Sequence, residues 1–159
     1  MATPPTKKQM DAFLKKVSKA MSKATDAKSM RKYGETVVDV VVARTRYKGQ
    51  GVAFNGGRVK KLKNVTPEYA DQRTKLPRHP DAATGRNSNL TQTGEMLDSL
   101  TVTKATKKQV AVGWKDKDER EKAGYVEAAG RPFLNLTSRE IDIVSRELDK
   151  KLSKETKKV

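Results

Sequence analysis

Apolar and polar residues alternate in two neighbouring runs, Leu100-Thr101-Val102-Thr103 and Val110-Ala111-Val112-Gly113-Trp114. A period of two puts alternate side chains on opposite faces of a strand. The polar stretch 105–108 between the runs predicts a β-hairpin, with Trp114 as its largest side chain. Two strands expose most of their surface and need packing partners to be stable. The flanking segments supply them with a different period. The expected fold is therefore α+β: a small antiparallel sheet packed with a long helix and a C-terminal helix.

Helical spacing is clear in three places. Met10, Phe13, Leu14, Val17, Ala20, Met21 and Ala24 recur every three or four residues, with lysines mostly off the stripe. Thr6 is the expected N-cap of this helix. The stripe is narrow, which fits a helix laid on a core or on a neighbouring subunit. Residues 26–29 make a polar break. Met30, Tyr33, Val37, Val40 and Val41 then predict a second helix over residues 29–47. The β-branched run Val37-Val38-Asp39-Val40-Val41-Val42 would favour a strand by propensity alone. Arg31, Lys32, Glu35, Asp39 and Arg46 group at helical spacing and favour the helix. In the C-terminal region, Thr137-Ser138-Arg139-Glu140 reads as a capping box ahead of Ile141, Val144, Leu148 and Leu152. Residues 153–159 are basic and read as a frayed tail.

Between the second helix and the hairpin the pattern is lost. Residues 48–89 are basic and read as a long loop, with turn residues at Gly49-Gln50-Gly51 and Asn55-Gly56-Gly57. Thr66 and Pro67 can start a short helix there, as cap and first position. Thr93 is a candidate cap for another, with Met96, Leu97 and Leu100 on one face. Residues 115–122 read as a charged loop or short helix.

Charge follows this division. The chain of 159 residues carries 35 Lys and Arg against 19 Asp and Glu, a net charge of +16. Residues 1–32 hold nine basic and two acidic residues, and residues 44–78 hold ten and two. These stretches supply +7 and +8, while residues 79–140 are nearly neutral at +1. The candidate polyanion or acidic-protein contacts are Lys15, Lys16 and Lys19 in the first stretch. Arg58, Lys60, Lys61 and Lys63 are those in the second. A solvated helix face plus a flexible loop explains the same charges. Tyr33, Tyr47, Phe54 and Tyr69 are too scattered to form a base-stacking platform.

Several chemistries drop out. The chain has no cysteine and one histidine, His79, so thiolate and His-rich metal sites are excluded. No apolar run approaches the ~20 residues of a membrane span, and no apolar signal-peptide core follows residues 1–6. Gly49-Gln50-Gly51 lacks the context of a phosphate loop. The acid pairs Asp116/Asp118 and Glu119/Glu121 sit among bases and read as a solvated loop. No metal, cofactor or catalytic constellation is expected.

The second half has a recognisable order. Leu90-Thr91-Gln92-Thr93-Gly94-Glu95-Met96-Leu97-Asp98-Ser99-Leu100 precedes the hairpin. Gly124-Tyr125-Val126-Glu127 and Gly130-Arg131-Pro132-Phe133-Leu134 follow it, and a helix closes the chain. Over about residues 30–150 this resembles the tail-completion and minor-tail (virion morphogenesis) proteins of tailed bacteriophages. The resemblance implies a non-enzymatic α+β subunit of a ring, typically sixfold, at the neck or tail end. It implies neck, connector and tail proteins as partners, grazing contact with genomic DNA in the channel, and no membrane. It implies assembly in the host cytoplasm and a place in the virion. The residues given interface or structural roles are Thr93, Gly94, Leu97, Ser99, Trp114, Tyr125, Glu127, Gly130, Arg131, Pro132 and Phe133. Gly94 would support a turn, and residues 131–134 would form a rigid segment anchoring Phe133. Plain core packing explains Phe133 and Trp114 better than a partner contact does.

The implied organisation is a basic amphipathic arm (1–28), an α+β domain (29–150) with the basic loop 48–89 inserted, and a basic tail (151–159). Two rivals stand beside the ring subunit. One is a basic nucleic-acid-binding protein. The other is a small nuclease-like enzyme, for which Asp98 and Glu127 are the carboxylates to test.

Overall fold

The β-branched run from Val37 to Val42 is helical, not extended. It lies within α2 (Ala27–Lys48), which follows α1 (Lys7–Ala24) after a short break. The computed structural model describes residues 7–157, with side chains described from Met10 onward. The Thr6 cap expected for α1 lies outside the described residues. After α2 come β1 (Gln50–Val52), β2 (Val59–Lys61), α3 (Pro67–Arg73) and α4 (Glu95–Asp98). Then follow β3 (Thr101–Ala105), β4 (Val110–Gly113), α5 (Lys117–Ala128) and α6 (Ser138–Thr156). The chain is α+β, with two separate antiparallel pairs, β1–β2 and β3–β4.

The predicted hairpin is β3–β4, in register from Thr101 opposite Gly113 to Ala105 opposite Val110. A bulge falls between Val102 and Lys104. Helix α2 lies across this pair, which explains its helical state: packing overrides the strand propensity of its valines. Gly34 permits the approach. A Cβ there would stand 2.6 Å from a methyl of Val102 and 2.6 Å from one of Val110.

α2 is defined at both ends. Gly49, at φ 58°, ends it in the left-handed conformation and donates its N–H to Arg44 and Thr45 carbonyls. Asp26 caps its start, accepting the Ser29 N–H at 2.7 Å. That hydrogen bond holds the Asp26 carboxyl below the usual carboxylate range. A depressed carboxylate stabilises the fold above its unfolded-state value, and the contribution is lost as pH falls through the lower folded value. Asp26→Asn keeps an acceptor at the cap and removes the titration. The difference in melting temperature between wild type and Asp26→Asn should therefore change below about pH 4 and stay constant above pH 6. A difference that is flat through the acid range would contradict this.

α1 and α6 pack together, and α6 also packs on α2. Ala20 and Ala24 are the buried positions of α1, and the Tyr33 hydroxyl donates to the Ala24 carbonyl at 3.0 Å. Burial pushes the Tyr33 phenol up from its ordinary value. The capping box at Thr137 and Glu140 is present in both directions. The tail expected to fray from residue 153 is instead helical to Thr156, with Glu155 buried. Docking against neighbours holds the last turn that charge alone would loosen.

Two further expectations change, and a third is decided between loop and helix. The loop 48–89 contains the hairpin β1–β2 as well as α3, which is capped by Thr66 with Pro67 in its first turn. Thr93 does not cap α4; Gly94 occupies that position at φ 88° and offers no side chain. The charged stretch 115–122 is the start of α5, capped by Asp116, which accepts the N–H groups of Asp118 and Glu119.

Candidate assembly site

The segments that carry the resemblance converge on one cluster. Val41, Met96, Leu97, Leu100, Trp114, Ala123 and Phe133 form the buried core, drawn from α2, α4, the hairpin, α5 and the chain after it. Phe133 is fully buried, and the Trp114 and Phe133 rings meet at 6.1 Å between centroids with a 57° tilt. That tilted packing is favourable for aromatic pairs. The Trp114 indole N–H donates to the Met96 carbonyl at 2.7 Å, tying the hairpin to α4.

Tyr125 stands outside this arrangement, 74% exposed; the other motif residues serve it locally. Ser99 closes α4 by donating to the Glu95 carbonyl at 2.6 Å. The Thr93 hydroxyl lies 3.2 Å from a Glu95 carboxylate oxygen. Gly94 sits beneath the His79 ring, and a Cβ there would stand 2.6 Å from it. Gly130, at φ 75°, turns the chain out of α5. Glu127 accepts the Phe133 N–H at 3.0 Å, so the last turn of α5 holds the segment that inserts Phe133. Arg131 donates to the carbonyls of Lys63 and Asn64, fastening that segment to the chain after β2.

Pro132 makes the tightest backbone approach. A Cβ on Gly51 would lie 1.9 Å from the Pro132 carbonyl oxygen. Gly51→Ala therefore forces β1 away from the 131–134 segment. The expected cost is about 1–3 kcal/mol, read as a lower urea midpoint at unchanged slope. A midpoint equal to wild type would mean that β1 is not seated on this segment.

The buried cation Arg44 was not legible as a site residue. It donates to Glu140 at 2.5 Å, to the Phe133 carbonyl at 2.5 Å and to the Asn135 carbonyl at 2.9 Å. Burial pulls its pKa down, and Glu140 opposes that shift. Glu140 also accepts the Thr137 N–H at 2.8 Å, so one carboxylate joins α2 to the α6 cap. The partners are 96 residues apart, and no local pattern announces the pair.

The fate of the other arginines bears on the basic stretch. Arg46 pairs with Asp98. Arg73 donates to the Gly85 and Asn87 carbonyls, Arg78 to that of Ala82, and Arg86 to that of Val65. Asn89 and Gln92 add further side-chain bonds to the backbone of the 73–92 region. This long segment is organised by its own polar side chains in place of a core. Much of its positive charge is thus spent within the chain. Arg58, Lys60 and Lys63 are exposed, as are Lys15, Lys16 and Lys19 on α1. Lys61 is exposed too and donates to the Asn87 side chain at 3.0 Å.

Beside the core is a groove of about 590 Å³. Tyr69 and Leu76 line one side, Tyr125 and Val126 of α5 the other, and Leu90 and Met96 lie between. Leu90 is the one described non-glycine residue with positive φ, at 56°. Lys122 lies 3.7 Å from Glu95 at the rim and bonds Glu119, which raises the Lys122 pKa. The groove is assembled from three separate segments and has no signature in sequence.

Asp98 and Glu127, the carboxylates of the enzyme rival, are occupied by Arg46 and by the Phe133 N–H. Among the described residues there is no group of three or more His, Cys, Asp or Glu suited to a metal ion. Among them also, no helix is long and apolar enough to cross a membrane. No protein-family model, curated protein or solved structure matches the chain.

Proposed function

We propose that this chain is a structural subunit of a tailed-phage virion. It forms a ring at the neck or tail-completion position, joining the tail or tail tube to the head connector around the DNA channel. The observation that carries the reading is the convergence on Phe133. The Thr93–Leu100 segment, Trp114, Val126–Glu127 and Gly130–Leu134 are separated in sequence, yet they supply or position one core. Such convergence gives the ordered motifs a shared physical task, which unrelated short matches would not have.

The site's chemistry is positional. Its hydrogen bonds run mostly from side chains to backbone, and Glu127 and Arg131 are bonded to backbone groups of the chain itself. This supports a scaffold over a catalyst. Terminal helices α1 and α6 present Met10, Phe13, Leu14, Met21, Ile141 and Ile143 to the outside. A ring contact uses two different faces of one subunit, so a subunit of this kind must carry apolar surface away from its own core.

Negative-stain electron microscopy of the purified chain tests this. The expected images are annular particles with a central opening and one dominant symmetry. Particles of single-chain size only would contradict the reading. The nucleic-acid-binding rival rests on the exposed Arg58, Lys60, Lys61 and Lys63. It requires binding of free duplex DNA that falls steeply with salt. For a ring subunit, Lys60→Ala with Lys63→Ala should weaken DNA association and leave particle size unchanged.

A further inference from the structure

The groove between α3 and α5 carries charge that its own chain leaves uncancelled. Its lining holds three bases, Arg73, Lys122 and Arg131, and two acids, Glu95 and Glu119. Both carboxylates gather on Lys122. The side chains of Arg73 and Arg131 bond only backbone carbonyls, those of Gly85 and Asn87 and those of Lys63 and Asn64. Neither has a carboxylate partner among the described residues, and Nη1 of each takes part in none of these bonds. Carbonyls hold a guanidinium in place without cancelling its charge, and a carboxylate makes the stronger, charge-assisted bond.

The two guanidinium groups stand at one end. Arg131 bonds the two residues before Val65. Arg73 bonds those on either side of Arg86, whose carbonyl accepts the Val65 N–H at 2.9 Å. Lys122 and its acids lie further back along α5, which rises about 10 Å from Lys122 to Ala129 before Arg131 is reached. Between the two charged ends lie Tyr125, Val126, Met96 and Leu90. Arg73 is 8% exposed, so its charge is largely desolvated and an opposite charge there counts for more than on the open surface. The apolar walls, by contrast, reach into solvent: Leu76 is 48% exposed and Tyr69 40%. A small molecule resting in 590 Å³ would leave Tyr125 uncovered, whereas a protein segment would cover it. Tyr, Met and Arg are also the residues enriched at protein interfaces.

We infer that this groove docks a segment of another protein that sets an Asp or Glu carboxylate beside large apolar side chains. The carboxylate seats at Arg73 and Arg131, and the apolar side chains lie between Tyr69, Leu76 and Tyr125. A basic segment is repelled there, which disfavours the α1 of a second copy, with its six lysines. The inference asks only for an acidic, apolar partner and does not rest on the ring reading.

Short random linear peptides, displayed as a library, are selected on the full-length chain. The best binders are then made as fluorescent peptides and titrated by anisotropy at physiological salt. Selected sequences should place Asp or Glu next to Leu, Phe or Met. Tyr125→Ala with Leu76→Ser alters two exposed groove positions, so folding is checked by a melting curve. This variant should bind about tenfold more weakly or worse, while Lys60→Ala with Lys63→Ala should bind as wild type does. Replacing Asp and Glu of the peptide by Asn and Gln should also cost about tenfold, with the protein untouched. Peptides bound equally by the groove variant would show attraction to surface lysines only and overturn the inference. Amide peptides that bind as tightly as the acids would overturn it too, as would a library that yields no groove-dependent sequence. Decanoate is the small-molecule probe: groove-dependent binding of decanoate without any peptide binding assigns the site to a small carboxylate instead. A fall in particle mass caused by the groove variant alone would put a second copy in the groove, and this also overturns it.

Discussion

Phe133→Ala is expected to cost about 3–5 kcal/mol of stability, the range for removing a large aromatic side chain from a closed core. Phe133 is fully buried and packs against Trp114. Its neighbours belong to α2, α4, α5 and the β3–β4 hairpin, so the cavity has walls from several elements and little freedom to collapse. For a chain of this length the loss corresponds to roughly 6–20 °C in melting temperature. Phe133→Leu keeps most of the volume and should cost under about 1.5 kcal/mol. Trp114→Phe should cost about 1–3 kcal/mol by a separate route, leaving the buried Met96 carbonyl without its indole donor. The Phe133→Ala and Trp114→Phe effects should not add, because the rings share one contact. Urea unfolding measures all of these; a Phe133→Ala midpoint within error of wild type would remove Phe133 from the centre of the account.

Arg44→Met has the second large effect, about 3–5 kcal/mol. The change keeps much of the packed stem and removes the charge. It leaves the Glu140 carboxylate unpaired in a largely buried place, and it takes a donor from the Phe133 and Asn135 carbonyls. Removing one member of a buried pair is costly for this reason, while removing both charges is less so. The double variant Arg44→Met with Glu140→Gln should therefore be more stable than Arg44→Met alone, with a coupling of about 1–3 kcal/mol. Glutamine retains an oxygen for the Thr137 N–H, so the α6 cap survives. Equal stability of the single and double variants would show that the pair is not the energetic link between α2 and α6.

What could be read from residue order depended on how local the cause was. The β3–β4 hairpin, the Thr137 capping box and the Thr66–Pro67 helix start were visible because alternation and capping act within a few residues. The β1–β2 hairpin was not. Its strands have three residues each, and β2 is Val59-Lys60-Lys61, exposed throughout. It is held by Gly51 against Pro132, eighty residues on, and that contact leaves no local trace. α5 was half hidden because mixed charges from 117 to 122 read equally well as loop; its Asp116 cap decides for helix. At α4, Thr93 has the right chemistry for a cap, but the left-handed turn needs Gly94 in that place. Arg44 lies in the last turns of α2, where nothing local marks it. Its role depends on Glu140 and on two carbonyls beyond residue 130. The basic stretch reads equally as a polyanion or acidic-protein contact and as a solvated loop, and only the fold separates arginines bonded to their own backbone from lysines facing outward.

The central claim is that this chain works as a repeated subunit, and native mass spectrometry of the purified full-length protein over a wide range of concentration tests it most directly. One closed oligomer of fixed stoichiometry is expected, sixfold by the resemblance, and it should persist as ionic strength rises if the apolar surface of the terminal helices forms the contact. A chain that stays at its 17.7 kDa monomer mass at every concentration, alone and with tail or connector proteins, would contradict it.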